Sequence, residues 1–108
     1  MFKIQLNTDK NIPGDERLES YLSSIIEEDL SRFSDHITRI EIYLADENSH
    51  KKGTDDKRCT LEARLKDRQP IAVTSHATTV EKAVTDALEK LNGSISTIYG
   101  RLKNHPNT

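Results

Sequence analysis

The chain has no tryptophan and a single cysteine, Cys59, among its 108 residues. One thiol excludes an internal disulfide and any cysteine-built zinc cage within one chain, and it fits a reducing compartment. Glycine is scarce too, at four residues, and none falls in a GxGxxG or GxxxxGK(S/T) pattern that would cradle a phosphate. No apolar run approaches the roughly 20 residues that cross a bilayer. The N-terminus Met1-Phe2-Lys3-Ile4-Gln5-Leu6 turns polar within a few residues, so neither signal peptide nor membrane anchor is expected, and the location is expected to be cytoplasmic. An excess of positive charge is also missing. With a formal net charge of −2, the chain cannot hold nucleic acid by bulk charge, and any RNA contact needs a local patch.

What is present is pattern. The hydrophobic set is 33% of the chain against 31% charged residues, so a thin core of Leu, Ile, Val and Ala has to be well placed to suffice. Phe2, Ile4 and Leu6 alternate with Lys3, Gln5 and Asn7, the period of a half-buried strand. Pro13-Gly14 breaks the chain, and Asp15 stands where a helix N-cap accepts backbone N–H bonds. Leu18, Leu22, Ile25, Ile26, Leu30 and Phe33 then recur at three and four, predicting one amphipathic helix of about five turns. Ile40, Ile42 and Leu44 alternate with Arg39, Glu41 and Tyr43 as a second strand, after which residues 45–57 read as a solvated, mobile loop. In the third strand Cys59, Leu61, Ala63 and Leu65 face inward, and after a turn at Asp67-Arg68-Gln69-Pro70 so do Ile71 and Val73 in the fourth. Thr78 with Glu81 three residues on has the spacing of a capping box. From there Val80, Val84, Ala87, Leu88, Leu91, Ile95, Ile98 and Leu102 keep helical phase for about seven turns, through Asn92-Gly93. The expected fold is α+β, a two-layer β-α-β-β-β-α arrangement with two helices on one face of a four-stranded sheet. One domain over residues 1–103 and a disordered tail at 104–108 are expected.

Catalytic chemistry finds no foothold. Asp55-Asp56 and Glu27-Glu28-Asp29 fall in a polar loop and on a helix surface, whereas general acid–base work needs perturbed groups in a cleft. The stretch from Asp46 fails as a calcium loop, with Lys51 where a glycine and Lys57 where a bidentate Glu are needed. His36, His50, His76 and His105 are scattered over different elements without HxH or HExxH spacing. Thr74-Ser75-His76 lies in a strand, where neighbours point to opposite faces, so it forms no nucleophile–base pair. Cys59 sits in the apolar register and reads as a small core residue. No enzyme activity, metal, cofactor or small-molecule substrate is expected.

Charge is unevenly spread. From Asp15 to Asp35 seven acids face only Arg17 and Arg32, whereas no acid follows Glu89, only Lys90, Arg101, Lys103 and His105. Lys3, Arg39, Arg58, Arg64 and Lys66 share the outward parity of the strands with Glu41 and Glu62. Such residues read first as ordinary cross-strand ion pairs, each worth about 0 to 1 kcal/mol, and only second as a site for RNA phosphates, because acids dilute the patch and no aromatic pair stands ready to stack bases.

Several stretches carry a family resemblance: Lys3-Ile4-Gln5, Leu30-Ser31-Arg32-Phe33 through Ile37-Thr38-Arg39-Ile40-Glu41, and Asp46-Glu47-Asn48. Lys57-Arg58-Cys59-Thr60-Leu61-Glu62-Ala63-Arg64, Pro70-Ile71-Ala72-Val73-Thr74 and Ala83-Val84-Thr85-Asp86-Ala87-Leu88-Glu89-Lys90-Leu91 continue it in the same order. Over about residues 1–100 the chain resembles the hibernation-promoting factors and ribosome-associated inhibitors, a family of ribosomal subunit interface and sigma-54 modulation proteins. That resemblance implies a double-stranded-RNA-binding-domain-like fold. It implies binding to the small ribosomal subunit and its rRNA, in the mRNA and tRNA channel, when growth slows or under stress. It implies no DNA, membrane or small-molecule partner, and it makes the chain a short form without the C-terminal domain of longer members. The RNA contacts retained under that resemblance are Arg32, Lys90, Arg101 and Lys103, with Lys82 exposed nearby; the charge distribution adds Arg58 and Arg64 on the outer sheet face and Lys57 in the adjoining loop. The chain departs from the family at Asp29, at Asn92-Gly93-Ser94 where basic residues are common, and at Thr78-Thr79-Val80 where an Asp-hydrophobic-Tyr entry is usual. These departures leave an alternative, a protein-interaction or stress adaptor that keeps the fold without binding RNA.

Overall fold

A computed structural model describes residues 2–47 and 56–100. In chain order these form strand β1 (Lys3–Thr8), helix α1 (Glu16–Asp29), a 3-10 turn (Ser31–Phe33), strands β2 (Ile37–Asp46), β3 (Lys57–Leu65) and β4 (Ile71–Ala77), helix α2 (Val80–Ile95) and a π-helical turn (Ser96–Gly100). The sheet order is β1-β2-β3-β4, with β1 parallel to β2 and the other two pairs antiparallel. A parallel pair cannot be joined by a tight turn, and α1 supplies the crossover. Both helices pack on the face that carries Ile40, Ile42, Cys59, Leu61 and Ala63, all buried against Leu22, Ile26, Val84, Ala87 and Leu91. The expected two-layer α+β architecture is therefore the one observed.

Local chemistry explains most boundaries. Asp15 is extended, and its carboxylate accepts from Leu18 N at 2.9 Å, which caps α1 as its position predicts. Gly14, just before it, lies so close to β1 that a Cβ there would meet Thr8 Oγ1 at 2.8 Å. The first helix is shorter than its apolar stripe suggests, however. Leu30 leaves helical geometry at φ −106° and ψ 13°, and the chain tightens into the 3-10 turn. Leu30 and Phe33 are three apart, the repeat of a 3-10 turn, so the change of helix type keeps both in the core.

The second cap is also displaced. Thr79, not Thr78, is extended at φ −127° and ψ 158°, and its hydroxyl accepts from Lys82 N at 3.1 Å. Glu81 then falls in the first turn without the capping-box spacing. Two adjacent threonines offer the same capping chemistry, and the end of β4 at Ala77 decides between them. The helix runs unbroken through Asn92-Gly93 to Ile95 and opens into the π turn, whose wider coil brings Tyr99 into the core at 6% exposure.

In β2 both Ile37 and Ile40 are buried although their parities differ. A register shift between Ile37 and Arg39 reconciles them, and Thr38 Oγ1 donates to Arg64 O at 3.0 Å inside it. Strands β2 and β3 run on to Asp46 and start at Lys57, so the polar connection is shorter at both ends than the expected 45–57. Its residues 48–55, with Lys51, Lys52 and His50, lie outside the described residues, as do Arg101, Leu102, Lys103, His105 and the expected tail.

Candidate nucleic-acid interface

The strand registers sort the outer face of the sheet into transverse rows. At one end Lys3, Arg39 and Arg64 stand abreast on β1, β2 and β3. The next row holds Gln5, Glu41, Glu62 and Ala72, and the one after it Asn7, Tyr43, Thr60 and Thr74. At the far end Ala45, Arg58 and His76 face one another. Neighbouring strands are about 4.8 Å apart, so the first row sets three cations side by side, an arrangement that is destabilising unless compensated.

Compensation comes from the acidic row. Arg39 Nε donates to Glu41 Oε2 at 2.8 Å and its guanidinium also bonds Gln5 Oε1, while Arg64 Nη2 approaches Glu62 at 3.7 Å. Tyr43 donates its hydroxyl to Glu41 Oε1 at 2.6 Å. That hydrogen bond, aided by Arg39, holds the Glu41 carboxyl below its ordinary range and pushes the Tyr43 phenol up. Lys3 and Lys66 make no ion pair among the described residues, and both are exposed. Around the corner from Lys66, whose N–H bonds His36 O at 3.0 Å, His36 stacks on Tyr99 at 3.9 Å. Arg68 lies 5.7 Å from the centre of the same Tyr99 ring. His36 is thus a half-buried packing residue rather than the ordinary surface histidine its isolation in sequence suggests.

The basic residues singled out from sequence do not meet in one patch. Arg64 joins the cationic row. Arg58 lies at the opposite end of the same face, while Lys57, with the parity of Cys59, turns to the other side of the sheet beside Asp46 and Ala77; both already have carboxylates on them. Lys57 Nζ is 3.1 Å from Asp56 and 3.6 Å from Asp46, which pushes its pKa up, and Arg58 Nη1 is 2.8 Å from Glu47, which also takes His76 at 3.2 Å. Arg32 leaves the sheet face altogether, bonding Ser96 Oγ at 2.7 Å with its guanidinium over Phe33. Lys82 pairs with Asp86 at 2.8 Å along α2. Lys90 donates to the Thr74 carbonyl at 2.8 Å. Arg101 and Lys103 lie outside the described residues. The residues missing from that set are Lys3 and Arg39. Their outward parity is visible in sequence, but their alignment with Arg64 depends on register, which it does not reveal.

Among the described residues no group of three His, Cys, Asp or Glu side chains could hold a metal ion. The Cys59 thiol is buried, and burial pushes its pKa up to about 12.

Residues 7–103 match the family model described as sigma 54 modulation protein / S30EA ribosomal protein. Two solved structures are similar in fold. One is a ribosomal subunit interface protein from Coxiella burnetii, with TM-score 0.67 and 18% identity, covering 92% of this chain and 99% of that one. The other is the N-terminal domain of Protein Y from Thermus thermophilus, with TM-score 0.68 and 14% identity, covering 91% and 97%. No curated protein matches the chain.

Proposed function

Because the chain belongs to the sigma 54 modulation protein / S30EA ribosomal protein family, we propose that it is a non-catalytic, cytoplasmic ribosome-associated factor. In this reading it binds the small subunit and its rRNA in the mRNA and tRNA channel and restrains translation in stationary phase or stress. The observation that carries the reading is the family match over residues 7–103.

The charge layout supports a particular route to RNA. A cation held by a carboxylate must give up that pair before it neutralises a phosphate, so unpaired or weakly paired cations gain most from RNA. Lys3, Lys66 and the loosely paired Arg64 meet that condition on the sheet's outer face, with Arg39 between them. Lys57, Arg58 and Lys82 meet it least. Arg32, Lys90, Arg101 and Lys103 stay as proposed contacts from the helix layer and the segment after it. Cosedimentation of the purified chain with small subunits at low and moderate salt tests the reading. Pelleting at low salt that fades as salt rises is expected, and protein left in the supernatant at low salt overturns it.

A further inference from the structure

The helix layer has a surface of the opposite character. Three adjoining depressions of about 470, 400 and 470 Å³ lie along the α1–α2 junction. Tyr21 lines the first two, and Asp29, Thr85 and Leu88 line the first and third, so they form one groove running from Pro13 to Gly93. Its floor is apolar. Ile25 and Leu18 are only partly covered, and Tyr21 is 50% exposed, one of two large hydrophobic residues so open among those described.

Its walls are acidic. Glu28 and Asp29 come from α1 and Glu81 and Glu89 from α2, with Arg17 as the one cation of the lining. None of these four acids has an ion-pair partner among the described residues; Asp29 accepts a hydrogen bond from Asn92. Two further features here disfavour the fold rather than support it. Helix α1 ends on Glu27, Glu28 and Asp29 with no basic residue in its last turn, against the negative pole of its own dipole. Gly93 sits inside α2, where glycine weakens a helix, yet a Cβ there would meet nothing within 4 Å. Packing does not require glycine at that position, and its effect is to leave the end of the groove bare.

An apolar floor between unneutralised carboxylates repels a polyanion and suits a cationic, partly apolar polypeptide. We propose that the α1–α2 groove docks a Lys/Arg-rich protein segment that lays an apolar side chain on Tyr21, Ile25 and Leu88. The complementary charge commits the groove itself to protein rather than to RNA. This inference goes beyond the ribosome reading and does not need it, since it concerns the purified chain alone.

The test is a titration of the full chain with a fluorescent peptide built from repeated Lys-Arg-Leu triplets, at low ionic strength. A peptide with Gln in place of the cations and one with Ser in place of Leu serve as controls. Saturable binding is expected, with amide shift changes at Tyr21, Ile25, Thr85 and Gly93. Glu28→Lys combined with Glu81→Lys should weaken it at least about tenfold, and Tyr21→Ser by about threefold or more. All three positions are exposed, and unchanged melting curves will show that the fold is kept. Equal affinity for the charge-reversed variant overturns the proposal, as does binding of the Gln control at the same strength. It is also overturned if the shift changes map to the outer sheet face. Failure to cosediment with ribosomes would leave this result standing, so the two readings fail separately.

Discussion

Lys90 Nζ donates to the carbonyl oxygen of Thr74 at 2.8 Å, tying α2 to the outermost strand of the sheet. Among the described residues strand β4 has no further strand beside it, and an edge carbonyl left bare is a template for another chain. Lys90 thus has a structural task besides any contact with RNA. Lys90→Ala is expected to lower stability by about 1 kcal/mol in urea unfolding, and Lys90→Glu by more, with greater self-association in sedimentation velocity. A Lys90→Glu variant with the same stability and the same sedimentation profile as the wild type would sink this assignment.

At the start of α2 the cap belongs to Thr79. Thr79→Ala should cost about 1 kcal/mol, whereas Thr78→Ala should stay within about 0.5 kcal/mol, as exposed substitutions away from special features do. Equal losses in parallel thermal melts would contradict the observed cap.

The elements themselves were legible because alternation and helical spacing are local properties. Asp15 declared its cap, and Cys59, Leu61, Ala63 and Leu65 declared the buried side of β3. Three kinds of feature were not legible. The switch to a 3-10 turn after Leu30 and the π turn that buries Tyr99 depend on packing against the sheet, not on periodicity. The bulge at Thr38 is invisible to a strict period of two. The candidate interface was the least legible, because side-chain parity says which face Lys3, Arg39 and Arg64 occupy but only register sets them abreast.

Buried Cys59 offers a direct probe of the core. Its thiol is pushed up to about 12 by desolvation, and the thiolate is the reactive form. Ellman's reagent at pH 8 should therefore leave the native chain unmodified and react promptly once urea unfolds it. Rapid stoichiometric reaction under native conditions would place Cys59 outside the core.

The Tyr43–Glu41 bond links stability to pH on both flanks. Glu41 is lowered from its ordinary 4.5, so its contribution is present above that value and lost as pH falls through the folded-state pKa. Tyr43 is raised from its ordinary 10.0, so its contribution is full below that value and lost as pH rises through the folded-state pKa. The stability gap between the wild type and Tyr43→Phe should be constant across the neutral range. It should close in acid below 4.5 and again in alkali above 10. A gap that persists unchanged into strong acid and alkali would dismiss the linkage.

The cationic row makes a quantitative prediction for ribosome binding. Each phosphate neutralised releases a counterion, so the logarithm of the binding constant falls with the logarithm of salt by about 0.7 to 0.9 per contact. Lys3→Gln, Arg64→Gln and Lys66→Gln together should flatten that slope by about 2 to 3. Arg39 is left intact in this variant because it holds Glu41. Lys82→Gln should change the slope little, since Asp86 already offsets that charge. The comparison separates contact from bulk charge: the triple variant and a control losing Lys10, Arg17 and Lys82 carry the same net charge, yet the first should flatten the slope far more. If both flatten it equally, the outer face is not the RNA-facing surface.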